Sequence, residues 1–218
     1  MENLAPSVDT EKYQTMPETT LLNVSALPPE RIGKVIDAMS RDLFRRGAVF
    51  ELDGVRRRPH MTIFMARFPT EAAIGARQAL AGLARSLNGT FARHSGYFLT
   101  KGNYYEVSYR RTDDLMALHH TVMGALSPLR FSPGTPVTED YFAPYDAEQQ
   151  KNARKWGYDL ADDLYRPHIT VTRFDAHPSF ELPRPPCDLS FPIGRIGIFE
   201  SDNLGATKRM LDSFTVDS

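Results

Sequence analysis

The pentapeptide Arg-Pro-His-Met-Thr at residues 58–62 returns as Arg-Pro-His-Ile-Thr at residues 166–170. From composition, a chance second copy is expected at a frequency on the order of 10⁻³, so the repeat has a cause. Each copy opens a run of alternating character. Met61, Ile63 and Met65 alternate with His60, Thr62 and Phe64, and Ile169 and Val171 alternate with His168 and Thr170. A period of two is the signature of a strand, in which each His and its Thr share one face and the apolar residues occupy the other. A chain written twice around such a strand is expected to form two similar lobes. In each, the apolar face packs on helices and the His-x-Thr face is left for other work.

The segments between the two copies fit that plan. Residues 20–27 read as a strand ended by Pro28-Pro29, and Ile32, Val35, Ile36, Met39 and Leu43 follow at helical spacing up to Gly47. Thr70 is placed to cap a second helix with the stripe Ala73, Ala76, Leu80, Leu83, Ala84 and Leu87, stopped by Asn88-Gly89. Residues 90–100 and 104–110 flank Lys101-Gly102-Asn103 as a hairpin. Asp113 and Asp114 sit at the positive end of a third helix that carries Leu115, Leu118, Val122 and Leu126. A long irregular segment with Pro128, Pro133, Pro136 and Pro144 leads to a short helix near 148–157, the second motif strand and a closing strand pair. The expected fold class is α+β. It is bilobal, with two antiparallel-rich sheets that carry outer helices and face each other across a central cleft, related by a pseudo-twofold. Residues 1–19 are expected to be a flexible tail and 20–218 a single bilobal domain.

Composition removes several classes of function. The net charge is −1, so no global field draws the protein to nucleic acid or membrane, and any anion site must be local. Cys187 is the single cysteine, which excludes an intrachain disulfide and a cysteine-cluster zinc site. No short ligand spacing points to another metal, and no cofactor is implied. No apolar run nears the ~20 residues of a membrane span, and the N-terminus lacks signal-peptide order. A cytoplasmic protein without a membrane or obligate protein partner is expected.

Two imidazoles and two hydroxyls on facing strands suit phosphodiester chemistry. One histidine can act as base and the other as acid near neutral pH, and the threonines can bond phosphate oxygens as charge builds. With paired His-x-Thr strands in two halves, the chain resembles the two-histidine (2H) phosphoesterase superfamily, which includes 2′-5′ RNA ligase-like proteins and cyclic phosphodiesterases. The resemblance rests on RPHMTI and RPHITVTR and on the element order over roughly residues 20–216. It implies a metal-independent site with His60, Thr62, His168 and Thr170 as catalytic residues and a nucleotide or RNA end as substrate, a 2′,3′-cyclic phosphate first. A cyclic or 2′-5′-linked oligonucleotide signal is the alternative substrate. A non-catalytic nucleotide- or RNA-binding module is the alternative class. Near-symmetry leaves the two histidines hard to tell apart; His168 is taken as base and His60 as acid.

Around this core, Arg58 and Arg166 precede the histidines by two residues and are expected to lean toward substrate. Arg173 and Tyr104 are further substrate-binding candidates, Tyr104 through stacking on a base. Arg56, Arg57 and Arg58 form a run that could steer anions. Tyr105, Val107 and Tyr109 read as core, and Tyr104, Glu106, Ser108 and Arg110 as the face that borders the cleft. His119 and His120 read as surface or helix-packing residues, and His94 and His177 have no evident partner. Tyr141, Phe142 and Tyr145 are candidates for a lid.

Overall fold

The structure is a computed structural model that describes residues 18–55, 57–85, 87, 89–130, 146–201 and 207–216. Arg56 and the three lid candidates Tyr141, Phe142 and Tyr145 lie outside the described residues, as do most of the expected tail and of the long Pro-rich segment.

Strands β1 (Thr19–Ala26) and β2 (Met61–Pro69) are linked by helix α1 (Glu30–Arg45). Ile32, Ile36, Met39 and Leu43 are buried along one side of α1, as their spacing predicts. Helix α2 (Ala73–Ala84) follows, then β3 (Phe91–Ala92), β4 (His94–Leu99), β5 (Tyr104–Tyr109) and helix α3 (Asp113–Leu126). Helix α4 (Ala147–Trp156) precedes β6 (His168–Arg173), and β7 (Phe191–Pro192), β8 (Arg195–Ser201) and β9 (Thr207–Thr215) close the chain.

Local chemistry explains most boundaries. Thr112 caps α3 by accepting the Leu115 N–H at 3.3 Å, with Asp113 and Asp114 in the first turn. Asp146 and Gln149 form a reciprocal capping box on α4, which ends at Gly157 in the left-handed region. Thr70 does not cap α2. Its hydroxyl donates instead to the Glu18 carbonyl at 3.0 Å, which ties the start of β1 to the end of β2. A short 3₁₀ turn follows, and α2 begins without a side-chain cap.

Seven strands form one antiparallel sheet in the order β4-β5-β6-β2-β1-β8-β9, and β3 pairs with β7 apart from it. The α+β class and the flanking helices are as expected. The two expected sheets are the halves β6-β5-β4 and β2-β1-β8-β9, joined edge to edge through the single pair Met61↔Ile169. The halves repeat in detail. β1 and β2 pair with a register shift at Val24/Ser25, which sets Ser25 opposite Thr62 and Ala26 opposite Met61. β5 and β6 pair with a shift at Tyr105/Glu106, which sets Glu106 opposite Thr170 and Val107 opposite Ile169. Such bulges re-aim side chains, and here each sits beside a motif threonine.

Met61, Ile63, Ile169 and Val171 are all fully buried on the helix side. Each contributes about 1.5–3 kcal/mol by leaving water, which pins the motif strands in register. The helices cross over: α1 lies on β6 and α3 on β2. His119 of α3 makes that contact polar. Its Nδ1 donates to the Ile63 carbonyl at 2.6 Å, its Nε2 accepts the Asp162 N–H at 2.8 Å, and its ring stacks on Tyr165 at 4.2 Å. Tyr165 in turn donates to the Thr62 carbonyl at 3.2 Å. His119 is thus the helix-packing residue expected, and exposed His120 lies 3.2 Å from Asp162. Among the described residues, no helix is long and apolar enough to cross a membrane.

Candidate active site

In the antiparallel register set by Met61↔Ile169, His60 falls opposite Thr170 and Thr62 opposite His168. All four residues are half-buried, on the face away from the helices. The two motifs therefore meet at the seam of the molecule.

Both rings are held the same way. His60 Nδ1 donates to the Arg58 carbonyl at 2.7 Å, and His168 Nδ1 donates to the Arg166 carbonyl at 2.7 Å. A carbonyl only accepts, so Nδ1 carries hydrogen in each ring and Nε2 is the working nitrogen. The intervening proline has no N–H to compete for the turn.

The first half surrounds its motif with neutral groups. Ser25 donates to Asn23 Oδ1 at 2.6 Å, which orients the amide so that Nδ2 donates to the Thr62 hydroxyl at 3.1 Å. Both Asn23 and Ser25 are buried. With an oxygen lone pair so occupied, the Thr62 hydrogen is free to point at a ligand. Phe199 leans on His60, ring centroids 6.2 Å apart. It does so across Gly197, where an added Cβ would come within 2.7 Å of the Phe199 ring. Burial pushes the His60 pKa down, the Arg58 carbonyl opposes this, and the nearby His168 adds to the lowering.

The second half is charged. Glu106, 3% exposed, is ion-paired to Arg166, and its other carboxylate oxygen lies 3.5 Å from His168 Nε2. Asp159 adds a second carboxyl that feels His168; it accepts from Gln149 at 3.0 Å, and burial raises its pKa. Alternation in the sequence places Glu106 on this face but assigns it no role. Asn23, Ser25 and Phe199 leave no local signal at all.

The remaining candidates divide. Arg166 joins the quartet through Glu106. Arg58 turns aside, because its Nε donates to the Val55 carbonyl at 3.2 Å within the preceding loop. Arg173 and Tyr104 find each other, with the guanidinium 5.7 Å from the ring centroid, and Arg173 also lies 3.6 Å from Asp175. That pair sits at the end of β6, ~10 Å along the strand from Thr170. Tyr105, Val107 and Tyr109 are buried, as expected. His94 lies against Tyr97 and Tyr109 and pairs with Tyr109, on the core side of the sheet and not on the face that holds the motif pair. Among the described residues, no three His, Cys, Asp or Glu side chains gather closely enough to hold a metal ion.

No protein-family model matches the chain, and no curated protein matches it in sequence. Solved structures do match. The protein TT0787 of Thermus thermophilus aligns with a TM-score of 0.55 over 90% of this chain and 97% of its own, at 20% identity. LigT of E. coli, complexed with 3′-AMP, aligns with a TM-score of 0.54 over 92% of this chain and 99% of its own, at 15% identity. A phosphoesterase aligns with a TM-score of 0.52 over 92% of this chain and 100% of its own, at 14% identity. The chain has the fold of these proteins along most of its length, so the resemblance drawn from the motifs extends to the fold.

Proposed function

We propose that this chain is a metal-independent phosphodiesterase of the two-histidine phosphoesterase type. It hydrolyses a nucleotide or RNA-end phosphodiester, with a 2′,3′-cyclic phosphate as substrate. The observation that carries this reading is the matched anchoring of His60 and His168, each by an Nδ1–H bond of 2.7 Å to the carbonyl two residues earlier. Two imidazoles fixed in one tautomer, each presenting Nε2 beside a threonine hydroxyl, are what in-line displacement at phosphorus requires. The fold is shared with LigT of E. coli, which has been solved with 3′-AMP, ATP and NADP+, and this supports a nucleotide ligand.

The surroundings of the rings favour the reverse of the assignment taken from sequence. His60 is held toward its neutral form by burial against Phe199, which suits a base. His168 has the carboxylate of Glu106 3.5 Å from Nε2, a negative neighbour that the first half lacks, which suits the acid role. A water attacks phosphorus and gives its proton to His60 Nε2. The P–O bond to the ribose breaks as His168 Nε2–H protonates the leaving oxygen. Thr62 and Thr170 donate to the non-bridging oxygens, each worth about 1–3 kcal/mol where charge peaks.

The test is incubation with nucleoside 2′,3′-cyclic phosphates in excess chelator, followed by phosphorus NMR. One monophosphate product is expected, lost in His60→Ala and His168→Ala. No product from any phosphodiester, or recovery only on adding a metal, would refute the reading.

A further inference from the structure

Phe98 is an exposed aromatic residue that the proposed reaction leaves unused. It lies on β4, the edge strand, directly opposite Glu106. Its neighbours Tyr97 and Leu99 turn inward against the core, with Tyr97 stacked on Tyr105 at 6.1 Å. Phe98 therefore projects on the face that holds Glu106, His168 and Thr170. It keeps 51% of its surface exposed, too much for a core residue. A single exposed phenylalanine on an edge strand means nothing by itself.

What gives Phe98 meaning is the chain of contacts that ends at the reacting nitrogen. The Arg166 guanidinium stands 5.5 Å from the Phe98 ring centroid. The same guanidinium is ion-paired to Glu106, whose other oxygen reaches 3.5 Å from His168 Nε2. Ring, cation, carboxylate and imidazole thus form one continuous strip across β4, β5 and β6. The ion pair fixes the guanidinium plane, so ring and cation are pre-organised. Two strand spacings, ~10 Å, separate Phe98 from Thr170 along that strip. This is the span from a phosphate held at Thr170, across its ribose, to the attached base.

We propose that Phe98 and Arg166 form the seat for the nucleobase of the leaving nucleoside. The inference rests on the phosphodiesterase reading and deepens it by assigning sides. His168 protonates the leaving ribose oxygen, so that ribose and its base lie over the second half, where Phe98 and Arg166 are. Water enters from His60, on the side walled by Phe199. An aromatic face with a fixed guanidinium takes any base by stacking, so the site reads size of the ring system before it reads hydrogen-bonding edges. Purines are preferred over pyrimidines.

The experiment compares adenosine 2′,3′-cyclic phosphate with glycerol 1,2-cyclic phosphate, which has the reacting ring but no base. Wild type is expected to favour the adenosine substrate in kcat/KM. Phe98→Ala should shrink that ratio roughly ten- to a hundredfold, mainly through KM, and Phe98→Trp should restore it. In parallel, calorimetry compares 3′-AMP with glycerol 1-phosphate on the same variants. If wild type turns over neither substrate, the phosphodiesterase reading fails, and a Phe98-dependent preference for 3′-AMP in calorimetry still upholds the base seat. If Phe98→Ala keeps the wild-type ratio in turnover, or in calorimetry where there is no turnover, the seat is refuted.

Discussion

Glu106 stands in the second half where Ser25 stands in the first. Each faces the threonine of its motif across a bulged pair of strands. A hydroxyl in one place and a carboxylate in the other make two near-identical frames chemically unequal. That inequality is the basis for separating the roles of the two histidines.

Removing the charge at Glu106 tests it. Glu106→Gln should lower kcat about tenfold or more and cost about 1–3 kcal/mol of stability, because Arg166 loses its counter-charge while partly buried. The double variant Glu106→Gln with Arg166→Met should regain stability without regaining kcat. Thermal melts beside single-turnover rates separate the effects. A wild-type kcat in Glu106→Gln would detach the carboxylate from the chemistry.

The assignment of acid and base can be read from leaving groups. A nitrophenolate leaves without protonation, whereas a ribose alkoxide does not. With a nucleotide ester of p-nitrophenol, His168→Ala should recover most of the roughly 10²–10⁴-fold loss it shows on a cyclic phosphate. His60→Ala should stay slow on both substrates. The opposite pattern would return the base role to His168.

The relay from Ser25 through Asn23 to Thr62 predicts a graded effect. Asn23→Ala should reduce kcat about tenfold with little change in KM, since it frees the Thr62 hydroxyl to turn away from phosphate. Asn23→Asp should be worse. A carboxylate accepts the Thr62 hydrogen instead of donating to its oxygen. Thr62→Val added to Asn23→Ala should cost little more, and full additivity in rate measurements would show that the two act separately.

His119 predicts an acid limb in stability. Burial pushes its pKa down to about 4 from an ordinary 6.5, against the opposing pull of the Ile63 carbonyl, and the Asp162 N–H already occupies the lone pair of Nε2 that a second proton would need. A histidine lowered on folding contributes its full stability above about 6.5 and loses it as pH falls toward 4, about 3 kcal/mol in all. Melting temperature should therefore drop between these values, and His119→Gln should be less stable at neutral pH with a shallower limb. His60 is lowered too, so His60→Gln is the control. An unchanged limb in His119→Gln would place the proton elsewhere.

What could be read from the chain was whatever a short window encodes. The period of Ile32, Ile36, Met39 and Leu43 marks a helix, and alternation around His60 and His168 marks strands whose apolar sides are buried. Alternation also put Glu106 on the site face. Its partner could not be read, since Arg166 lies sixty positions away and meets it only through β5–β6 pairing. Asn23 and Phe199 reach the site through β1–β2 and β1–β8 pairing, which no local pattern records. Thr70 shows the opposite failing. It has the right local spacing for a cap, yet the Glu18 carbonyl takes its hydroxyl first.

Helix α1 lies on β6, and α3 lies on β2. Each repeat thus lends its helix to the other's motif strand. A repeat standing alone lacks the helix that lies closest over Met61 and Ile63, or over Ile169 and Val171, and its own helix loses the strand it lies on. The architecture is that of a domain-swapped dimer written into one polypeptide. Severed between the repeats, neither piece can shelter its histidine strand until it meets the other, so reassembly of the fragments and return of the site are a single event.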